Sequence, residues 1–245
     1  MPLLIGRFVS WLGVLSMFLT PMVGQTQADA VEILRKVSEA YGAATQYEVR
    51  SIVTFAEPDA SFKSISSHLF YRSPDMYRWE GKTTLGAGQQ DPALLAKDEF
   101  LNVFDGSTLW SYFPKLNEYS AFTDRFPEGM SPQDLSRFPG LGVFRDLVGD
   151  PSRSRRVRVL REERLAAGAS SAADCFVIEL ADPLSTSIVW IDKKRYYVLR
   201  EDENIGRDGK ATASVVYSLV RLNEPLEDEL FKFNPPPGAR KVAPQ

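Results

Sequence analysis

The sequence predicts a mostly β protein with one unclosed antiparallel β-barrel of about ten or eleven strands. Helical periodicity is confined to one stretch near the start and one short apolar insert midway, and alternation with a period of two recurs along most of the remaining chain. Polar turn residues separate the alternating runs. Strongly twisted open sheets seldom exceed ~10 strands, so a sheet of this size must curl. We therefore expect a half-barrel with a concave apolar face.

The amino-acid composition argues against most kinds of catalytic site. The 245 residues include 29 Lys and Arg against 32 Asp and Glu, and the formal net charge of −3 gives no reason to expect nucleic-acid binding. One His excludes a multi-His zinc site, and one Cys excludes an intrachain disulfide or a Cys-rich metal site. We expect no metal, no cofactor and no enzyme, although a hydrolase that uses two of the many carboxylates stays open.

Residues 1–28 have the layout of a secretory signal peptide. Arg7 is their only charged residue, an apolar run covers residues 8–19, and small residues at 26 and 28 precede Asp29. The alternative is a membrane anchor, but the run is shorter than the ~20 apolar residues that a spanning helix needs. We expect residues 1–28 to be removed and residues 29–245 to form one exported domain.

The remaining elements follow from local patterns. Asp29 is expected to cap a helix from Ala30 to about Ala44, which has a single apolar stripe. Asp105-Gly106 is the strongest hairpin signal, and residues 81–98 are interpreted as a flexible excursion. The predicted strands cover residues 46–55, 62–72, 76–80, 100–104, 108–113, 118–122, 156–160, 175–181, 187–191, 197–204 and 213–222.

Alternation stops between Phe126 and Asp150. Ser131 and Pro132 suit the start of a helix, and a Pro-Gly pair at 139–140 ends it. A second short, almost entirely apolar helical turn follows. Two short apolar helices in a β protein favour a movable helical lid over the sheet. The lid residues expected to contact a ligand are Leu135, Phe138, Leu141 and Phe144.

Four segments together resemble the LolA family of periplasmic outer-membrane lipoprotein carriers, over essentially all of the chain after residue 28. They are the Arg72-Ser73-Pro74 corner with its strand Tyr77-Arg78-Trp79, the hairpin at 104–114, the apolar insert, and the Phe- and Pro-rich end at 230–239. The resemblance implies an unclosed barrel with a helical cover, whose cavity receives the acyl chains of a lipoprotein for transfer towards the outer membrane. It implies a periplasmic monomer that meets membrane-associated donor and acceptor proteins transiently.

The resemblance also implies ligand contacts. In the family, an Arg directly before a Pro holds the lid in place. Arg72 is the matching residue here, but Ser73 lies between it and Pro74, so the sequence does not decide which face of the strand Arg72 occupies. A lipid-binding sensor or regulatory module on the same scaffold is the alternative function. The complete predicted ligand-binding set is Arg72, Tyr77, Trp79, Trp110, Tyr112, Leu135, Phe138, Leu141 and Phe144.

Three further features have both a structural and a functional interpretation. Cys175 lies in a predicted strand, where core packing is favoured over intermolecular pairing or a reactive thiol. His68 is interpreted as structural or exposed rather than as a ligand. In the basic cluster between Arg153 and Arg164, Arg156 and Arg158 are expected to share one solvent face of a strand; a docking patch for an acidic partner or anionic headgroups is the alternative.

Overall fold

The computed structural model describes residues 22–56, 62–73, 76–86, 91–123, 156–165, 172–181, 185–205 and 211–243. Its helices are α1 (Met22–Gly42) and α2 (Pro92–Ala96), and a 3₁₀ turn covers Asp228–Phe231. The strands are β1 (Gln46–Ala56), β2 (Phe62–Arg72), β3 (Met76–Leu85), β4 (Glu99–Phe104), β5 (Leu109–Phe113), β6 (Glu118–Phe122), β7 (Arg156–Leu165), β8 (Ala173–Ala181), β9 (Ser185–Asp192), β10 (Val198–Ile205), β11 (Ala211–Leu222) and β12 (Arg240–Lys241).

The described strands form one unclosed sheet in the order β12-β6-β5-β4-β3-β2-β1-β11-β10-β9-β8-β7. Every neighbouring pair is antiparallel except β12 with β6, which is parallel. The predicted fold class, an unclosed antiparallel half-barrel with an N-terminal helix, is confirmed. The described sheet has one strand more than the upper predicted count because the two-residue β12 adds to its edge.

Helix α1 defines the two faces of the sheet. Its apolar stripe, which includes Ile33 and Val37, packs in one buried core with Val49, Leu69 and Tyr77. Successive strand residues alternate between faces, and residues directly opposite in register share a face. We call the face that contributes to this core the inner face and the other one the outer face. Core residues come from β1 to β5 and from β7 to β11, so one apolar core serves almost the whole sheet.

Helix α1 begins earlier than predicted. It starts at Met22 rather than after Asp29, which lies within the helix instead of capping it. Pro21 directly precedes its first residue in the sequence, and proline is favoured at the beginning of a helix. The alternation of apolar and polar residues located each strand from β1 to β11 but ended β3 and β7 five residues early, at 80 and 160, and it contains no information about how far a helix extends upstream of its buried stripe.

The predicted excursion at 81–98 is wrong in two places. β3 continues to Leu85, and residues 92–96 form helix α2, whose first turn is capped by the Asp91 carboxylate accepting from the Ala93 N–H at 2.9 Å. Gly81, the first residue of the predicted excursion, lies within β3 where two other groups approach its backbone closely. A Cβ there would lie 2.7 Å from both the Phe100 ring and the Ser66 carbonyl oxygen, so only glycine fits this point of the strand.

The Asp105-Gly106 hairpin between β4 and β5 is confirmed. The Asp105 carboxylate accepts hydrogen bonds from the N–H groups of Ser107 and Thr108 at 2.9 and 2.8 Å. Gly106 has φ +94°, a conformation that glycine adopts without strain. Partial burial acts to raise the pKa of Asp105, but the donated hydrogen bonds outweigh it and leave the pKa below its ordinary value.

Candidate ligand-binding surface

Two of the predicted ligand contacts, Tyr77 and Trp79, lie on the inner face. Tyr77 is buried in the core beneath α1 with its ring centroid 5.9 Å from that of Phe104. Trp79 packs against the edge of this core and makes an edge-to-face contact with Phe100 at 4.7 Å. The predicted lid residues fall between positions 131 and 148, outside the described residues.

Arg72 lies on the outer face. It follows Tyr71, which packs against the inner core, so the alternation of β2 directs Arg72 to the opposite side. Its guanidinium donates to the Asp228 carboxylate at 2.5 Å and to the Leu226 carbonyl, and stands 4.8 Å over the Phe231 ring. The described partners of Arg72 therefore belong to the C-terminal segment, residues 224–243.

Trp110 and Tyr112 also lie on the outer face, because Leu109 begins β5 on the inner one. Their ring centroids are 5.4 and 5.9 Å from Phe233, which also approaches Tyr119 at 5.6 Å. Both residues hold the C-terminal segment against the sheet. Among the described residues, the fold therefore divides the predicted ligand-binding set between two faces.

An apolar surface that sequence reasoning did not single out lies on the inner face beyond the core. Val53 is opposite Ile65 on one side and Val215 on the other, and Phe55 is opposite Ala213. Leu85 extends the surface along β3. Val53, Phe55, Ile65, Leu85 and Val215 are all half-buried. We call these five residues the distal apolar surface.

The distal apolar surface is not part of the helix-covered core. Of its members, only Val215 packs against the buried core formed by the described residues. The alternation of β1 contains the signal that would have found it, since Val53 and Phe55 fall on the same side as Tyr47 and Val49.

A polar row separates the distal apolar surface from the core beneath α1. Ser51 and Ser67 face each other with their hydroxyl oxygens 3.0 Å apart, and Tyr217 is opposite Ser51 on β11. Among the described residues, the hydroxyls of Tyr217 and Tyr77 are buried without a hydrogen-bond partner. A buried hydroxyl without a hydrogen-bond partner lowers the stability of the fold by roughly 1–3 kcal/mol.

The electrostatic environment of Tyr217 is unfavourable for ionisation. Burial, followed by the nearby negative charge of Glu201, raises the pKa of Tyr217 well above its ordinary value. Burial alone raises the pKa of Tyr77. Glu201 is itself buried on the inner face, opposite Val215. Both hydroxyls therefore stay protonated at neutral pH and are available as hydrogen-bond donors.

The outer face of β1, β2 and β3 carries a charged network around the single histidine. His68 Nε2 is 2.8 Å from a Glu48 carboxylate oxygen, and Arg221 donates to the other oxygen of Glu48 at 3.1 Å. His68 Nδ1 is 3.7 Å from Glu80, which also accepts from Arg78 at 2.9 Å. The His68 ring, followed by Arg78 and against partial burial, lowers the pKa of Glu80 to about 2.

Replacing His68 by alanine is expected to raise the pKa of Glu80 towards its ordinary value of 4.5. In the wild type, stabilisation by ionised Glu80 is complete above pH 4.5 and is lost as the pH falls through about 2. In the variant the pKa of Glu80 lies closer to its ordinary value, so less stability depends on its ionisation and less is lost on acidification. Carboxyl NMR titration checks the pKa, and an unchanged Glu80 titration in the variant would contradict the assignment of the cause to His68.

The two other features singled out in the sequence have structural roles. Arg156 and Arg158 share the exposed outer face as predicted, and both pair with Glu179, at 3.4 and 2.9 Å. Cys175 is fully buried, as the core interpretation predicted, and burial raises the pKa of its thiol to about 11. It packs with Val177 and Trp190 in a small cluster separate from the core beneath α1.

A cleft of about 960 Å³ lies beside this cluster, at the β7–β8 end and the turn after β9. Charged residues of both signs dominate its lining, among them Glu162, Arg164, Asp174 and Lys194. Such a lining does not suit an acyl chain. No three His, Cys, Asp or Glu side chains of the described ranges come together as possible metal ligands.

No helix in the described part of the chain is both long enough and apolar enough to cross a membrane. No protein-family model and no curated protein sequence matches the chain. The chain does match solved structures. LprF from Mycobacterium bovis overlaps 82% of this chain and 95% of its own with a TM-score of 0.52 at 12% identity. The lipoprotein LppX from Mycobacterium tuberculosis overlaps 82% of this chain and 98% of its own with a TM-score of 0.50 at 14% identity.

The fold is LolA-like. At 12% and 14% identity, the overlaps with LprF and LppX establish the fold alone. A LolA superfamily protein from Nitrosomonas europaea also matches, over 83% of this chain and 97% of its own at 14% identity, but its TM-score of 0.34 is too low to support an argument. The fold implied by the sequence resemblance is confirmed.

Proposed function

We propose that this protein is a periplasmic carrier that binds the acyl chains of lipoproteins or other lipid ligands on its inner face, for transfer towards the outer membrane. The observation that supports it is the distal apolar surface, which faces inward beyond the core beneath α1. An inward apolar surface that the chain's own helix leaves outside the core is suited to a ligand rather than to packing.

The dimensions of the inner face suit an acyl chain. From Trp79 to Leu85 the inner side of β3 spans about 20 Å at ~3.3 Å per residue. An acyl chain as it lies in a bilayer spans about 15 Å, half of the ~30 Å hydrocarbon thickness. Each buried CH₂ contributes roughly 0.8 kcal/mol, so apolar contact alone gives substantial binding energy with no catalytic group. Trp79, at the edge of the core, is the predicted contact that we retain for this surface, whereas Tyr77 is buried beneath α1.

The proposal includes export and a transient exchange of cargo. We propose that residues 1–28 are a signal peptide and that residues 29–245 are the mature half-barrel domain. Because α1 begins at Met22, cleavage after residue 28 would shorten this helix and leave its buried stripe, from Ala30 onward, in place. The carrier would work as a monomer that meets membrane-associated donor and acceptor proteins, with no cofactor.

Native mass spectrometry tests the proposal. The mature protein, delipidated and then incubated with a diacylated lipopeptide, should retain one lipopeptide per chain. The same peptide without its acyl groups is the matched control and should not bind. A folded protein that retains neither peptide, or retains both equally, would contradict a carrier that works through acyl chains.

A further inference from the structure

Two buried hydroxyls on the inner face have no hydrogen-bond partner within the described residues. Tyr77 is 2% exposed and Tyr217 is 8% exposed. A phenylalanine at either position would fill the same volume without leaving a polar atom unpaired. A hydroxyl is favourable at these positions if a group beyond the described residues completes its hydrogen bond.

The position of Tyr217 relates this unpaired hydroxyl to the proposed ligand. Tyr217 is two residues from Val215 on the same face of β11, so it adjoins the distal apolar surface. Its neighbours across the polar row, Ser51 and Ser67, bond to each other. The row thus offers an unused donor at the border where a bound hydrocarbon chain would meet its polar linkage.

We propose that the hydroxyl of Tyr217 donates a hydrogen bond to the carbonyl oxygen through which an acyl chain is linked. The inner face then selects ester- or amide-linked chains over ether-linked or bare hydrocarbon chains of equal length. This inference rests on the proposed function, since it requires that a hydrocarbon chain binds on the inner face. An acyl carbonyl is the acceptor that such a ligand carries at the end of its chain.

The test compares two ligands that differ by one carbonyl group, a palmitoyl lysophosphatidylcholine and its hexadecyl ether analogue. Their affinities for the delipidated mature protein are measured by displacement of a fluorescent fatty-acyl probe. The wild type should bind the ester roughly three- to tenfold more tightly, as expected for a neutral hydrogen bond formed in place of one to water. Tyr217→Phe should reduce this preference while thermal stability stays unchanged or rises.

Tyr112→Phe is the matched control. It removes the same hydroxyl on the outer face, where the group donates to Asn117 at 3.0 Å, and should leave the ester preference unchanged. Equal binding of ester and ether by the wild type would overturn the inference and leave the proposed function intact. A loss of stability in Tyr217→Phe with an unchanged ester preference would also overturn it, because the hydroxyl would then serve the fold through bound water. Binding of neither ligand would overturn the proposed function and the inference with it.

Discussion

Val53→Asp is expected to reduce retention of a diacylated lipopeptide by at least roughly tenfold. Val53 lies at the centre of the distal apolar surface, between Ile65 and Val215. A carboxylate there would have to be buried against the acyl chain or keep water in the site, and either outcome removes the apolar contact that drives binding. Retention is measured by native mass spectrometry across a lipopeptide concentration series.

Ile52→Asp is the control for this substitution. Ile52 is the preceding residue of β1, points to the outer face and is 48% exposed, so the same chemical change should leave retention unaltered. Near-ultraviolet circular dichroism of both variants checks that the fold survives, and Ile65→Asn offers a milder change on the same surface. Equal retention by folded Val53→Asp, Ile65→Asn and wild-type protein would exclude the distal apolar surface as the ligand site.

Phe231→Ala is expected to lower the free energy of unfolding by about 3–5 kcal/mol, the usual cost of truncating a buried phenylalanine. Phe231 is 2% exposed and lies beneath the Arg72 guanidinium, so its ring anchors the C-terminal segment to the outer face. Its loss removes the buried ring and deprives Arg72 of that contact. Urea unfolding of the mature protein gives the difference in stability.

Lys232→Ala is the comparison for Phe231→Ala. Lys232 is exposed and pairs only with Glu229 among the described residues, at 2.6 Å, so its replacement should change stability by less than about 0.5 kcal/mol. Phe233→Ala should give an intermediate loss, because its ring is half-buried between Trp110 and Tyr112. A loss below about 1 kcal/mol in Phe231→Ala would show that the segment is held in another way.

Most of the sheet could be predicted from the sequence because its strands alternate strictly and its turns use characteristic residues. The Asp105-Gly106 hairpin is the clearest case, since both its register and its turn are local properties. The extension of β3 past Glu80 was not predictable in this way. Gly81 is needed for a contact with Phe100 from the next strand, and a sequence pattern does not distinguish such a glycine from one in a turn.

Local sequence patterns also could not predict that the candidate site is divided between two faces of the sheet. Alternation puts Trp110 and Leu109 on opposite sides of β5, but it does not say which side is covered by α1. Both faces of this strand are covered, because Phe233, more than a hundred residues away, packs on the outer one. The alignment of Tyr217 with Ser51 depends on a register shift between Arg50 and Ser51, which no alternation pattern contains.

The central claim is that an acyl chain lies on the inner face, and photo-crosslinking tests it most directly. A lipopeptide with a diazirine in its acyl chain is bound to the delipidated mature protein, irradiated, and the modified residues are mapped by mass spectrometry. We predict adducts on inner-face residues of β1, β2, β3 and β11, including Val53, Phe55 and Ile65. Adducts confined to outer-face residues such as Ile52, or to the exposed Leu94 and Leu95 of α2, would contradict it.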